Sequence, residues 1–585
     1  MKYYIKNMIK NLSQEDTLFL KEIYEPKVVA IPPVDGGCSM CVTEDGEIRI
    51  YGSKDKKDWG DFGTGVYISS KDCGLSWKTH KFRDGKTLGA AGFNPQSGRY
   101  ISVCPTPYRN DITKNFEGDG SYIIINDEGY DSENNRFIKI SDKTFEFLKQ
   151  PRYLESCGRW IALSQYEHNT KTVPVVCISD DDGESWSVNI FKKSAPEYPQ
   201  GPEDKGIRWQ NQSCEPDFVE LSDGTLIMFV RTSQNYHYMY TSSDYGTTWS
   251  EEPTPTIFNG TNTMPVLYKL DNGKILFFWC NTEMMPEIDH QKVTPALNKY
   301  ELSGASEDVF TNRDANHLAI SEDDGKTWIG FREVFLNPVR CCADFRRVGD
   351  DAPGDKSVHQ GQIIELPYNK ILIHFGQHEA CARVVILDIN WLYETERKEI
   401  FRFGLKNLST QMYLKSVIGG YRGFVGHCAY NRTHGAIMTP DPDNNFDEVL
   451  RIARVEDERL VYKKQGCVWN FPSSSEGEVT IRLRVIKSGV RISLTDHWQN
   501  PFDETIKSKA YISFEITKDY APDNIWTDIV VKYNEQKADV FADKKLINSI
   551  KINKKMPHGL SYLHIQTLAE NEDFEGTCIK YLTKK

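Results

Sequence analysis

One octet recurs four times in this chain: SKDCGLSW at 70–77, SDDDGESW at 179–186, SSDYGTTW at 242–249 and SEDDGKTW at 321–328. The shared pattern is Ser-x-Asp-x-Gly-x-Ser/Thr-Trp. Its chemistry suits a turn between strands, because the Asp and Ser oxygens can accept backbone N–H groups and Gly allows a positive φ. The Trp ring can cover the neighbouring hairpin. Four copies at fixed offsets, tens of residues apart, predict an architecture built from repeated units.

The distances between the octets predict how many units the chain holds. Successive octets begin 109, 63 and 79 residues apart, so the first interval has room for a degenerate copy. The sequence NDEG at 126–129 fits that place, and DINW at 388–391 fits a further one. Units of about 60 residues with four strands each then fill 29–395 six times. A seventh, degenerate unit stays open.

The octet resembles the Asp-box, or BNR repeat, of the sialidase superfamily. This resemblance implies an all-β fold with a six-bladed β-propeller over 29–395. It also implies that the four octets lie on the face opposite the site, so that the octets predict the fold and say little about the chemistry.

The character of the sequence changes at about residue 400, after which the octet is absent. Period-two alternation at 479–486, 490–494 and 529–533 predicts an antiparallel β-sandwich over 400–585. These strands are similar to laminin-G or concanavalin-like jelly rolls. We expect the core of the sandwich to hold Trp469, Phe471, Trp498 and Trp526. Residues 1–28 form an N-terminal segment, with a helix predicted over 14–24.

Composition excludes several classes of partner. The net charge is −12 with no basic stripe, so nucleic acid is not expected. No apolar run approaches 18 residues, so no membrane partner is expected. Fourteen scattered cysteines and the lack of a leader-like apolar segment predict a reduced, cytoplasmic protein. No nucleotide or metal motif is found, so no cofactor and no metal site are expected. The oligomeric state stays open.

The stretch from Glu215 to Arg231 is the strongest functional candidate. It reads as Glu, a strand, the tight turn Asp223-Gly224, a second strand and Arg. Adjacent strands of one sheet place Glu215 and Arg231 near the same end of the predicted propeller, and a planar guanidinium can bind a carboxylate through two hydrogen bonds. The element resembles one in sialidases with the same separation. That resemblance implies that Glu215 acts in catalysis beside the nucleophile and that Arg231 binds the substrate carboxylate.

Other parts of the sequence depart from the sialidase pattern. Ala30 stands where the resemblance implies the first arginine of the site. No Tyr stands where the resemblance implies the nucleophile; the residue at that place is His359 or Gln360. His359 could act as an acid or base, or hydrogen-bond the substrate, and Gln360 could only bind it. Asp58 and Asp61, in the loop before the first octet, are the candidate acid/base residues.

These residues lead to three hypotheses of function. The leading one is a glycoside hydrolase acting on a terminal acidic sugar of an oligosaccharide, sialic acid or another carboxylated sugar. A polysaccharide lyase with His359 or His317 as the base is the second, and a non-catalytic sugar-binding protein is the third. The remaining candidate substrate-binding residues are Arg313, Arg347 and Arg383.

Overall fold

The computed structural model describes residues 2–33, 39–52, 65–82, 89–103, 120–132, 134–168, 171–198, 212–260, 262–283, 312–338, 357–376, 379–413, 432–460 and 462–585. These residues form an all-β protein, which confirms the all-β part of the predicted fold class. The short helices are α1 (Ile5–Asn11), α2 (Gln14–Glu22), α3 (Ile506–Lys509) and a 3₁₀ turn at Ile389–Tyr393. Helix α2 lies where the sequence predicted it. No helix in the described ranges has the length and apolar character needed to cross a membrane.

Between residues 27 and 388 the described strands form six antiparallel sheets of four strands. Sheet 1 holds β2 (Met40–Val42), β3 (Ile48–Gly52), β4 (Gly65–Ser70) and β5 (Lys78–Phe82), and sheet 2 holds β6 (Gly92–Phe93), β7 (Tyr100–Val103), β8 (Ser121–Asn126) and β9 (Arg136–Ser141). Sheet 3 holds β10 (Arg152–Leu154), β11 (Arg159–His168), β12 (Lys171–Ser179) and β13 (Ser187–Ile190), and sheet 4 holds β14 (Cys214–Glu220), β15 (Leu226–Arg231), β16 (Tyr236–Ser242) and β17 (Thr254–Asn259). Sheet 5 holds β18 (Val266–Lys269), β19 (Ile275–Trp279), β20 (Ala315–Ser321) and β21 (Ile329–Leu336). Sheet 6 holds β22 (Gly361–Leu366), β23 (Lys370–Phe375), β24 (Arg383–Asp388) and, at its edge, the N-terminal β1 (Lys27–Ala30).

The six sheets pack on one another in cyclic order. Each shares a cluster of buried apolar side chains with the next sheet along the chain. Sheet 6 shares another with sheet 1, where Leu372 and Ile50 belong to the same core as Met8 and Leu20 of the N-terminal helices. Inner strands such as β8, β15 and β20 bury both faces, and their apolar, Val/Ile/Phe-containing sequences fit that environment.

The octets close the third strand of sheets 1, 3, 4 and 5. In each, the first Ser accepts a hydrogen bond from the Gly N–H, at 2.7–2.9 Å. The Trp indole N–H donates to the carbonyl of the same Gly at 2.9–3.0 Å. The degenerate copies at 126–129 and 388–391 begin where the third strands of sheets 2 and 6 end. We call this end of every sheet the box end.

After residue 396 the described chain forms two larger sheets and a small ribbon. The eight-stranded sheet holds β25 (Arg397–Glu399), β29 (Ile437–Asp441), β30 (Asn444–Arg454), β32 (Gly477–Val485), β35 (Thr527–Tyr533), β36 (Lys537–Ala542), β37 (Lys545–Lys551) and β39 (Asp573–Lys584). The five-stranded sheet holds β26 (Leu408–Ser409), β31 (Gly466–Ser474), β33 (Val490–Thr495), β34 (Ile512–Ile516) and β38 (Leu560–Thr567), and the ribbon holds β27 (Met412–Tyr413) and β28 (Arg432–Thr433). One core cluster joins side chains of both large sheets.

Two of the four aromatic residues expected in that core lie elsewhere. Trp469 and Phe471 belong to it, as predicted. Trp498 is buried in a separate small cluster, and its backbone exchanges hydrogen bonds of 2.9 Å with Asn281 and Glu283, which follow β19. Trp526 is only half-buried, and its indole N–H donates to Asp443. Neither prediction was right, because alternation shows that a strand is half-buried and not which aromatic side chain faces the shared core.

Candidate functional site

Three backbone positions with unusual geometry lie opposite the box end, where the first strands of sheets 4, 5 and 6 begin. They are Glu215, Asn262 and Gln360, with φ angles of 47°, 56° and 60°. A side chain in this left-handed region costs about 1–3 kcal/mol and persists only where surrounding contacts enforce it, often at functional sites. We call this end of the sheets the site end.

Glu215 and Arg231 form a buried ion pair at the site end. The hairpin register places Cys214 opposite Arg231, so Glu215 and Arg231 lie side by side at the ends of β14 and β15. The Arg231 Nη1 donates to Glu215 Oε1 at 2.9 Å, and the two side chains are 3% and 7% exposed. Gln360, at the start of sheet 6, also donates to Oε1, at 3.4 Å. The predicted Glu–turn–Arg element is therefore a single compact unit.

A second arginine joins this unit through Asn262. Arg231 Nε donates to the Asn262 side-chain oxygen at 2.7 Å, and Arg313 Nη2 donates to the Asn262 backbone oxygen, also at 2.7 Å. Arg313 is fully buried and precedes β20 of sheet 5. Two guanidinium groups from adjacent sheets thus converge on one residue.

His359 contacts the second arginine directly. Arg313 Nη1 lies 2.9 Å from His359 Nε2. Arginine has only donors, so Nε2 must be the acceptor and the proton of the neutral imidazole lies on Nδ1. In this arrangement His359 offers a hydrogen-bond donor, not the basic nitrogen that proton abstraction requires.

The charges of the site keep Glu215 ionised. Burial alone would raise the pKa of Glu215, but the positive charge and the hydrogen bond of Arg231, helped by the other basic groups around it, outweigh that effect and lower the pKa below its usual value. A carboxylate held in this state suits a base or an electrostatic partner, and it does not suit a proton donor.

Sequence reasoning missed the residues that support Glu215 from sheet 3. The Glu215 N–H donates to Gln165 Oε1 at 2.7 Å, and Gln165 Nε2 donates to Glu146 Oε2 at 2.7 Å. The available signal was the polar pair Ser164-Gln165 inside the otherwise apolar run of β11. That signal does not say which sheet the side chain faces, so it could not reveal the contact with Glu215.

The other predicted residues do not join this cluster in the described structure. Arg383 donates to the backbone oxygens of Glu379, Ala380 and Ala382, so it holds its own turn. Ala30, at the end of β1, pairs with Val384 at the site end of sheet 6. Asp58, Asp61 and Arg347 lie outside the described residues.

His317, the other lyase candidate, lies away from the two arginines. Its Nδ1 accepts the Asn281 N–H at 3.0 Å, and its Nε2 contacts the Tyr562 hydroxyl of the C-terminal half. Burial lowers the pKa of His317 to about 3. It is a buried residue between the two halves of the chain. Within the described ranges, no group of three or more His, Cys, Asp and Glu side chains could hold a metal ion.

Comparison with known proteins identifies the repeats. Residues 126–336 match the model of the BNR repeat-like domain, so this segment is a BNR repeat-like, Asp-box domain, as the octets predicted. Among the curated proteins, none matches the chain.

Several solved structures of sialidases match this chain at low identity. Trypanosoma rangeli sialidase has 12% identity and a TM-score of 0.36, over 96% of this chain and 91% of that chain. A Hadza microbial sialidase has 12% identity and a TM-score of 0.39, over 62% and 66% of the two chains. The intramolecular trans-sialidase from Ruminococcus gnavus, in complex with oseltamivir carboxylate, has 14% identity and a TM-score of 0.36, over 62% and 95%.

Proposed function

We propose that the six four-stranded sheets are the blades of a β-propeller and that the two larger sheets form a β-sandwich. The cyclic packing of sheets 1 to 6 supports the propeller, as does β1, which completes the last sheet with a strand from the N-terminus. The core cluster between the two large sheets supports the sandwich. The change of architecture between β24 and β25 fits domains of 29–395 and 400–585. A cytoplasmic location stays a prediction.

The proposed activity is that of a glycoside hydrolase acting on a terminal carboxylated sugar of an oligosaccharide. The observation that carries it is the convergence of Arg231 and Arg313 on Asn262. The two guanidiniums and the ionised carboxylate of Glu215 lie in one cluster at the site end. Such a site suits a substrate carboxylate, which a planar guanidinium can bind through two hydrogen bonds.

Within that activity, Glu215 is the base. Its carboxylate is ionised and lies between Arg231 and Gln360. Since His359 and Gln360 stand where the sialidase resemblance implies a nucleophilic Tyr, and Ala30 where it implies an arginine, we expect slow cleavage of simple sialosides.

An elimination reaction is the competing chemistry. The presence of a histidine near an arginine favours it, because the arginine could neutralise a uronic carboxylate while the histidine removes the neighbouring proton. For His359 to remove a proton, its Nε2 would first have to leave Arg313. A binding protein without catalysis is the third outcome. The three differ in their products, because hydrolysis adds the mass of water, elimination leaves an unsaturated sugar that absorbs in the ultraviolet, and binding leaves the ligand intact.

The experiment is a panel of oligosaccharides ending in N-acetylneuraminic, glucuronic or galacturonic acid, with neutral counterparts, read by mass and absorbance. Arg313→Gln is the informative variant, since Arg231 also balances Glu215. This variant should weaken binding of the carboxylated ligand by about 2–5 kcal/mol and leave the binding of neutral sugars nearly unchanged. The exposed Arg459→Gln removes the same charge and serves as the control. Equal affinity of wild type and Arg313→Gln for every acidic ligand would refute the proposal.

A further inference from the structure

Glu146 reaches the site through a fixed chain of hydrogen bonds. Its backbone pairs with Gln165 of β11, through hydrogen bonds of 3.0 and 3.1 Å in both directions. The Gln165 side chain then connects the Glu146 carboxyl to the Glu215 backbone, with 2.7 Å at each contact. The chain therefore holds two glutamates of neighbouring sheets at one end of the fold.

The direction of these hydrogen bonds fixes where a proton on Glu146 would lie. A backbone N–H only donates, so the Gln165 oxygen must face Glu215 and its NH₂ must face Glu146. Oε2 of Glu146 is then an acceptor, and a proton on this carboxyl belongs on Oε1. In the described part of the chain Oε1 accepts no hydrogen bond, and Glu146 is exposed to solvent. A ligand at the site end could meet this oxygen.

The surroundings shift the pKa values of the Glu146 and Glu215 carboxyl groups in opposite directions. The charged groups acting on Glu146 are Glu215, Arg231 and Glu167. The Glu146 side chain is exposed, but surrounding protein atoms partly exclude water from its carboxyl group. This desolvation, helped by the negative charge of Glu215 and opposed by the hydrogen bond from Gln165, raises the pKa of Glu146, whereas the pKa of Glu215 is lowered. Two carboxyl groups with divergent proton affinity in one site are the usual arrangement of an acid and a base.

We propose that Glu146 is the general acid of this site, held in position by Gln165. The inference rests on the proposed hydrolase function. Glu146 donates its Oε1 proton to the glycosidic oxygen as the bond from that oxygen to the anomeric carbon breaks, and the bonding electrons stay on the departing sugar hydroxyl. A water molecule bonds to the anomeric carbon and gives its proton to the Glu215 carboxylate. Atoms and charge balance without a cofactor.

The test compares two leaving groups on the same acidic sugar. An unactivated sugar–sugar linkage needs a proton donor, whereas a 4-nitrophenyl glycoside departs without one. Glu146→Gln should slow the natural linkage by about 100- to 10,000-fold and the nitrophenyl glycoside by less than about tenfold. Gln keeps an oxygen that can accept the Gln165 N–H, so the fold should be retained. The matched control is Glu155→Gln, an exposed glutamate at the box end of sheet 3.

The pH profile gives a second measurement. Activity needs Glu146 protonated, so wild-type turnover of the natural linkage should fall as pH rises through the raised pKa of Glu146. That alkaline limb should be absent from the residual turnover of the natural linkage by Glu146→Gln. If Glu146→Gln loses turnover equally on both substrates, or keeps the alkaline limb of the pH profile, the role of Glu146 is overturned while the hydrolase function stands. A wild type that hydrolyses neither substrate would overturn both proposals.

Discussion

Arg231→Met should destabilise the protein strongly, because it removes the partner of a buried carboxylate. Arg231 Nη1 and Glu215 Oε1 are 2.9 Å apart, and both side chains are almost fully buried. At that distance and an effective dielectric constant of about 20, their attraction is about 6 kcal/mol. Part of it offsets the cost of desolvating the two groups, so the single substitution should cost about 3–5 kcal/mol. Asn262 also loses its hydrogen bond from Arg231 Nε.

The double variant Arg231→Met/Glu215→Gln separates the charge from the packing. With no buried charge left over, it should be more stable than Arg231→Met alone. Urea unfolding, compared through the same transition in each variant, measures the difference. Because the pKa of Glu215 is lowered, the stabilisation is present above its unfolded pKa of about 4.3 and is lost as pH falls through the folded value. A cost below about 1 kcal/mol for Arg231→Met at pH 7, as for an exposed pair, would refute this reasoning.

Two further predictions concern the packing of the sheets and of the two halves. Gly183→Ala should lower the free energy of unfolding by about 1–2 kcal/mol because of its φ of 91°, and by about 1–3 kcal/mol more because the new methyl group would meet Ile101 of sheet 2. The control is Gly273→Ala, which has a φ of 87° and open space around it and should lose only the contribution from φ. Equal shifts in melting temperature would show that sheets 2 and 3 do not pack as described. A fragment of residues 1–395 loses Arg432, which pairs with the buried Asp314 at 3.1 Å. The fragment should therefore unfold at a lower temperature than the same region in the full chain. Asp314→Asn removes the unpaired charge and should recover part of the lost melting temperature. No recovery would mean that this pair does not limit the stability of the fragment.

The candidate site was predictable only in its local part. Glu215, Asp223-Gly224 and Arg231 belong to one hairpin, so their spacing alone brings the two charged ends together. Arg383 looked equally suitable in sequence, yet it bonds to its own backbone turn. A charged loop residue carries no mark of its partner, because that partner depends on the path of the surrounding chain.

The sequence by itself determined the repeating unit of this protein. The octet needs only its own Ser, Asp, Gly and Trp to form its turn, and all of these contacts lie within eight residues. The tertiary structure decided what the site can do. Asn262 joins Arg231 to Arg313, and Gln165 joins Glu215 to Glu146, between residues that lie 19 to 51 positions apart in the sequence. Those contacts exist only because the sheets pack side by side, and the packing sets both the hydrogen-bond directions and the charges that fix each group's protonation.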